Sequence, residues 1–288
     1  MVVACTPHSG YGTALVRQGA LVRVVDLATC RTVVRRRPPP SPARAGVMLV
    51  ATRSGNHGTQ AIRVGGRTVY LLRERYDRIP AGAPGPIELF GLTPDRGWVL
   101  FAVDPQGSAS LAADGLTLQA VSVHGGRPRT IAAGLLAPDY RAWCGGRLVM
   151  TAGGDRVAAH HKWLIVAQPP LWRARRLVSA PGFAFGSLAC RGNDVVVQAA
   201  PAGGSMNPRW QLWSIGLDGG VAVLDRPPHG FSDDSPRVAR GKVVFVRSHA
   251  GKGTLYGLGT GPLLRVGHDD GFYGHRPWSA VGWSVKPP

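Results

Sequence analysis

The chain has 288 residues, 44% of them apolar, and carries 34 Lys and Arg against 16 Asp and Glu, a formal net charge of +18. That apolar share supports a packed core and excludes global disorder, and no apolar run approaches the roughly 20 residues of a membrane-spanning helix. The 40 Gly and 24 Pro are spread between apolar runs, which suits many short strands joined by tight turns.

The charge raises nucleic acid as a partner. Only four of the basic residues are Lys, namely Lys162, Lys242, Lys252 and Lys286. The rest are Arg scattered through strands and turns, with one dense run, Arg35-Arg36-Arg37, ahead of Pro38-Pro39-Pro40. Phosphate-binding surfaces gather their cations on one face or helix. Arg-rich codon usage in a GC-rich genome accounts for the scatter better, and nucleic acid is set aside.

In chain order, the start reads Met1-Val2-Val3-Ala4-Cys5. Val-Val-Ala-Cys resembles the end of a bacterial lipoprotein signal, but the charged and apolar regions that precede such a Cys are missing. Chance and a shortened leader explain it equally well. Residues 1–11 are expected to be an N-terminal tail. Alternating apolar runs follow at ALVRVVDL (20–27), TVYLL (68–72), GWVLFAVD (97–104), LTLQAVSV (116–123), RLVMTA (147–152), KWLIVA (162–167), DVVVQAA (194–200), RWQLWSIGL (209–217) and KVVFVRS (242–248). Each is bounded by turn formers, and none has the 3.6 period of a long helix. The chain is expected to be all-β.

These runs repeat. Residues 87–131, 139–178, 183–224 and 231–266 share one plan: strand, tight turn, strand, loop, strand, Gly turn, strand. The period of about 45 residues is that of a four-stranded propeller blade. Residues 45–73 read as a further blade, and residues 12–36 as the later strands of another. The missing first strand of that one is PWSAVGWSV at 277–285. The expected fold is a six-bladed β-propeller of four-stranded antiparallel blades over residues 12–288, closed by its C-terminal strand, a device that removes exposed sheet edges.

DDSP at 233–236, LTPDRGWVLFA at 92–102 and LWSIGLDGG at 212–220 resemble the repeat of TolB-like β-propellers, an acid and Ser-Pro, a Trp-Ser-Pro-Asp-Gly turn, an apolar strand, a loop and a strand ending in Asp-Gly-Gly. The turn is eroded to WCGG at 143–146, ACRGN at 189–193 and VARGK at 238–242. The resemblance implies fold more than function, because propellers host many activities.

A propeller's innermost strands line its central channel, and the loops leading into them shape one mouth. That topology places Glu88, Asp139, Tyr140, Phe183, Phe185, Asp233, Asp234, His275 and Arg276 at the mouth, where convergent polar and aromatic groups form a ligand site. Asp233 and Asp234 also fit a second role, capping strand starts as part of the repeat. His160-His161 precedes KWLIVA in a turn and reads as a solvated loop rather than a metal site. No G-x-S-x-G nucleophile turn occurs, and GLGTG near 257–261 lacks the strand-to-helix setting of a nucleotide loop.

The four Cys form no C-x-x-C, so zinc is not expected. Buried thiols and two disulfides both remain open, with Cys144–Cys190 and Cys5–Cys30 as the pairings, unless Cys5 carries lipid. The expected role is non-enzymatic binding or scaffolding in a bacterial cell envelope, periplasmic or extracellular if a leader is missing and cytoplasmic otherwise. The expected protein is a monomer without cofactor, metal or catalytic residue, which takes a protein or peptide partner, or a small molecule, at the mouth. The membrane is reached only through a lipid on Cys5. The alternative is a propeller hydrolase or lyase using Glu88, Asp139 and His275 as acid-base groups.

Overall fold

A computed structural model describes residues 2–18, 21–35, 46–54, 57–75, 86–104, 116–134, 138–153, 159–203, 208–250, 252–266 and 282–284. Apart from one 3-10 turn, Pro138–Tyr140, their regular structure is β. No helix among them is long and apolar enough to cross a membrane.

The strands form six antiparallel sheets. Sheet I holds β2 (Thr13–Gln18), β3 (Leu21–Asp26) and β4 (Thr32–Arg35), with β24 (Gly282–Ser284) beside β2. Sheet II holds β5 (Val47–Ser54), β6 (His57–Val64) and β7 (Arg67–Arg75). Sheet III is β8 (Ile87–Leu92), β9 (Trp98–Val103), β10 (Thr117–Ser122) and β11 (Arg129–Ala133). Sheet IV is β12 (Arg141–Cys144), β13 (Arg147–Ala152), β14 (Trp163–Ala167) and β15 (Arg175–Arg176). Sheet V is β16 (Phe183–Arg191), β17 (Asp194–Pro201), β18 (Gln211–Gly216) and β19 (Val221–Asp225). Sheet VI is β20 (Ser232–Ala239), β21 (Lys242–His249), β22 (Lys252–Gly257) and β23 (Gly261–Val266), with β1 (Val2–Cys5) outside β23. The consecutive strands of each sheet form a meander, to which β24 is added in sheet I and β1 in sheet VI.

Sheets II to V pack face to face in chain order. Ile62 and Val69 of sheet II meet Leu89, Val99 and Phe101 of sheet III. Leu100 and Leu118 of sheet III meet Leu148, Met150 and Ile165 of sheet IV. Val149, Leu164 and Val166 of sheet IV meet Leu188, Val195 and Val197 of sheet V. Ala14, Val25 and Leu27 of sheet I meet Val244, Leu255 and Leu264 of sheet VI, so the last sheet lies on the first. The first strands also touch, β12 against β16 and β16 against β20. β24 pairs with β2 through Thr13↔Ser284, Ala14↔Trp283 and Leu15↔Gly282.

Two features differ from the sequence reading. Residues 2–11 are no tail. β23 would otherwise present an edge of unpaired N–H and C=O groups, and β1 covers it, with Cys5 opposite Leu264. Beyond β1, the Thr6 N–H donates to Leu263 and the His8 N–H to Leu27, and Tyr11 is buried between sheets I and VI. The second blade, among the described residues, has three strands rather than four.

Two disulfides tie neighbouring sheets. Cys5 bonds Cys30, Cα atoms 5.8 Å apart, joining the edge of sheet VI to a turn of sheet I. Cys144 bonds Cys190, Cα atoms 5.4 Å apart, joining β12 to β16.

Candidate functional site

Strand polarity decides which residues share an end of the molecule. Neighbouring strands run oppositely, so β14 begins, β15 ends, β16 begins and β17 ends on one side. A cavity of about 250 Å³ opens there, lined by His161, Lys162, Trp163, Arg176, Phe183 and Phe185, together with the 178–182 turn and Ala202.

Its walls are fixed by local structure. Gly182 has φ +82° and turns the chain into β16, and its carbonyl accepts from the Ala202 N–H at 2.8 Å. The Phe185 N–H reaches the Lys162 carbonyl at 3.3 Å, binding the β13–β14 loop to sheet V. Phe183 is half-buried and packs on Trp213 with ring centroids 4.6 Å apart. The Arg176 guanidinium sits 5.0 Å over the Trp163 ring, a cation–π contact. Lys162 is buried, and its ammonium donates to the His160 carbonyl at 3.1 Å. The cavity thus offers aromatic faces with a cation at the rim.

The structure divides the other mouth residues. Glu88 is half-buried at the start of β8, opposite Ala102. Asp139 and Tyr140 lie in the 3-10 turn before β12. Asp139 faces Arg237 on β20, where burial lowers the guanidinium's pKa and the Asp139 charge raises it. His275 and Arg276 lie outside the described residues.

Asp233 and Asp234 are not open to a ligand. They are 0% and 1% exposed and sit in a polar seam between sheets V and VI. Arg247 grips Asp233 with both arms of its guanidinium, Nε to Oδ1 at 2.7 Å and Nη2 to Oδ2 at 3.0 Å. The same Nη2 reaches Asp225 of sheet V at 2.9 Å. Asp234 accepts from Gln198 Nε2 at 2.9 Å and from the Ser248 hydroxyl at 2.7 Å. Burial pushes the Asp233 carboxyl from 3.8 up to about 6, against the pull of Arg247.

Gln198 belongs to a recurring device that the sequence reading missed. Gln60 of sheet II accepts from the Ile87 N–H of β8 at 2.7 Å. The Thr151 hydroxyl of sheet IV donates to the Gly186 carbonyl of β16 at 2.6 Å. Gln198 of sheet V donates to the Asp233 carbonyl of β20 at 3.2 Å. Each is a buried polar side chain reaching the first strand of the next sheet. A Cβ at position 186 would come within 2.7 Å of Gln198 Oε1, so Gly186 allows the approach. The available signal was a polar residue at a core position, as in Asp-Val-Val-Val-Gln-Ala-Ala.

His160 and His161 lie in a turn, where the alternating faces of a strand do not apply, and their ring centroids are 3.7 Å apart. Among the described residues no three His, Cys, Asp or Glu form a metal-sized group.

No protein-family model and no curated protein matches the chain. In structure it is similar to TolB from Acinetobacter baumannii at 14% identity and TM-score 0.48, over 91% of this chain and 65% of that one. It is similar to the β-propeller domain of the Trilobed protease from Pyrococcus furiosus at 10% identity and TM-score 0.45, over 94% and 85%. It is similar to puromycin hydrolase at 14% identity and TM-score 0.46, over 94% of this chain and 46% of that one.

Proposed function

We propose that the chain is a TolB-like six-bladed β-propeller, closed by the pairing of Gly282–Ser284 with Thr13–Gln18, that binds a peptide or protein partner without turnover in a bacterial cell envelope. The sheet order, the packing of sheet VI on sheet I and the β24–β2 ladder support the architecture. Two disulfides suit an oxidising compartment.

The observation that carries the binding reading is the aromatic cavity at the start of β16. Its volume of about 250 Å³ lies below the roughly 300–1,000 Å³ of whole-ligand pockets. It suits one anchoring side chain of a partner, the geometry of an interface hot spot. An aromatic ring against Trp163 and Phe183 with a carboxylate toward Arg176 fits its chemistry.

The test uses the peptide N-acetyl-Asp-Phe as probe. The reading expects saturable calorimetric binding to the intact protein, lost about tenfold or more in Arg176→Ala, and an unchanged peptide by mass spectrometry after long incubation. Cleavage of the peptide would favour the hydrolase reading, and absence of binding would remove the cavity from the account.

A further inference from the structure

A second concavity lies at the opposite end of sheet IV. The turn at the start of β13 and the connection from β14 to β15 meet there, around a cavity of about 400 Å³. Arg147, Arg173 and Arg175 line it with Gln168, Pro170 and Leu171.

Register shows why two of these cations converge. Val166 of β14 pairs with Val149 on one side and Arg175 on the other, so all three share one face of the sheet. Arg147 lies two residues before Val149, hence on that same face. Leu148 pairs with Ala167, which sets Arg147 beside Gln168. Arg173 is supplied by the connection.

That connection is anchored. Trp172 is 1% exposed, and its ring packs edge-on to Trp98 at 5.7 Å and Trp143 at 6.2 Å. The Trp172 backbone N–H donates to the Gln168 carbonyl at 2.9 Å. The flanking Leu171 and Arg173 are therefore held in place, and Leu171 is 67% exposed beside the cations. A preorganised wall lowers the entropy cost of binding.

Among the described residues no carboxylate pairs with Arg147, Arg173 or Arg175. Three like charges around one concavity repel each other, and an oxyanion that accepts from the guanidiniums relieves the repulsion.

We propose that this cleft is a binding site for a small organic oxyanion, a phosphate monoester or carboxylate whose apolar part lies on Pro170 and Leu171. The volume, unlike that of the aromatic cavity, falls within the range for a whole small molecule. The site is at the other end of the strands from that cavity and does not depend on it.

The probes are hexyl phosphate and inorganic phosphate, titrated calorimetrically into the intact protein at low salt. Both bind, hexyl phosphate about tenfold tighter, because its chain covers the apolar lip. Arg147→Gln/Arg175→Gln weakens both about tenfold or more, and Leu171→Ser weakens hexyl phosphate alone. Arg129→Gln, an exposed cation on sheet III, changes neither. Arg173→Gln, in the connection rather than the sheet, gives a cation loss that leaves the ladder intact if the double variant fails to fold. Failure of either probe to bind the wild type, or equal weakening by Arg129→Gln, overturns the proposal. Circular dichroism and the thermal midpoint of each variant separate loss of this cleft from loss of the fold.

Discussion

The seam between sheets III and IV and the seam between sheets V and VI solve one problem with different chemistry. At the first, Leu100, Leu118 and Ile131 meet Leu148, Met150 and Ile165, with Trp172 wedged between Trp98 and Trp143. At the second, Gln198, Asp233, Asp234, Arg247 and Ser248 exchange hydrogen bonds. Apolar packing is non-directional and tolerates small shifts. A buried polar network does not, because each lost partner leaves a desolvated group behind. The polar seam therefore fixes how sheet VI sits on sheet V, and through Asp233 it couples that packing to pH.

The largest effects compare the seams directly. Trp172→Ala removes the wedge and should cost about 3–5 kcal/mol. Arg247→Ala strands the Asp233 carboxylate and should cost about 3–5 kcal/mol near neutral pH. Urea unfolding at pH 5 and pH 8 separates them. The Trp172→Ala cost should stay level, while the Arg247→Ala cost should be larger at pH 8, where Asp233 is ionised.

Reduction of the disulfides comes next. Opening Cys144–Cys190, whose partners are 46 positions apart, should lower stability by roughly 2–4 kcal/mol. Thermal melts with and without a reductant, in Cys5→Ser/Cys30→Ser, isolate that bond. An unchanged melting temperature would show that the sheet IV–V contact stands on its apolar core alone.

The pH dependence is of similar size. Burial keeps the proton on the folded Asp233 carboxyl up to about 6, against an ordinary value of 3.8. Between those values the folded chain binds the proton that the unfolded chain has released. Stability therefore falls as pH rises through that window and is level on either side. Two units correspond to on the order of 2–3 kcal/mol. Asp233→Asn should flatten the pH profile of the unfolding midpoint over that range, and a profile as steep as wild type would assign the titration elsewhere.

The smallest effect sharpens the comparison. Gln198→Ala leaves the Ser187 N–H and Asp234 short of partners and should cost about 1–3 kcal/mol. Ser187 and Asp234 lie on different sheets, so hydrogen exchange should rise in both β16 and β20. A rise confined to β16 would mean that Gln198 orders its own sheet only.

The strands were legible because period-2 alternation is a local signal. The run Lys-Trp-Leu-Ile-Val-Ala contains β14, and Lys-Val-Val-Phe-Val-Arg-Ser nearly all of β21. β15 was not, since it is only Arg175–Arg176, both exposed, with no apolar residue to alternate. β1 was not either, because Val-Val-Ala-Cys becomes a strand only through the edge that β23 offers. At the candidate site, Phe183 and Phe185 were legible from their place at the start of β16. Trp163, Arg176 and Lys162 were not, because they come from a different sheet and reach the cavity through inter-sheet packing. Asp233 and Asp234 show the opposite failure. Their position in the repeat was readable, as was the hairpin that sets Arg247 opposite Asp233, but their burial also depends on Gln198 and Asp225 of sheet V, which chain order does not bring to them.

The most direct test of the account is an NMR footprint of N-acetyl-Asp-Phe on the intact protein. The account predicts shifts concentrated on the Trp163 indole N–H and the backbone amides of Arg176, Gly182 and Phe183, all lost in Arg176→Ala. Shifts gathered instead on Glu88, Asp139 and Tyr140, or no shifts at saturating peptide, would contradict it.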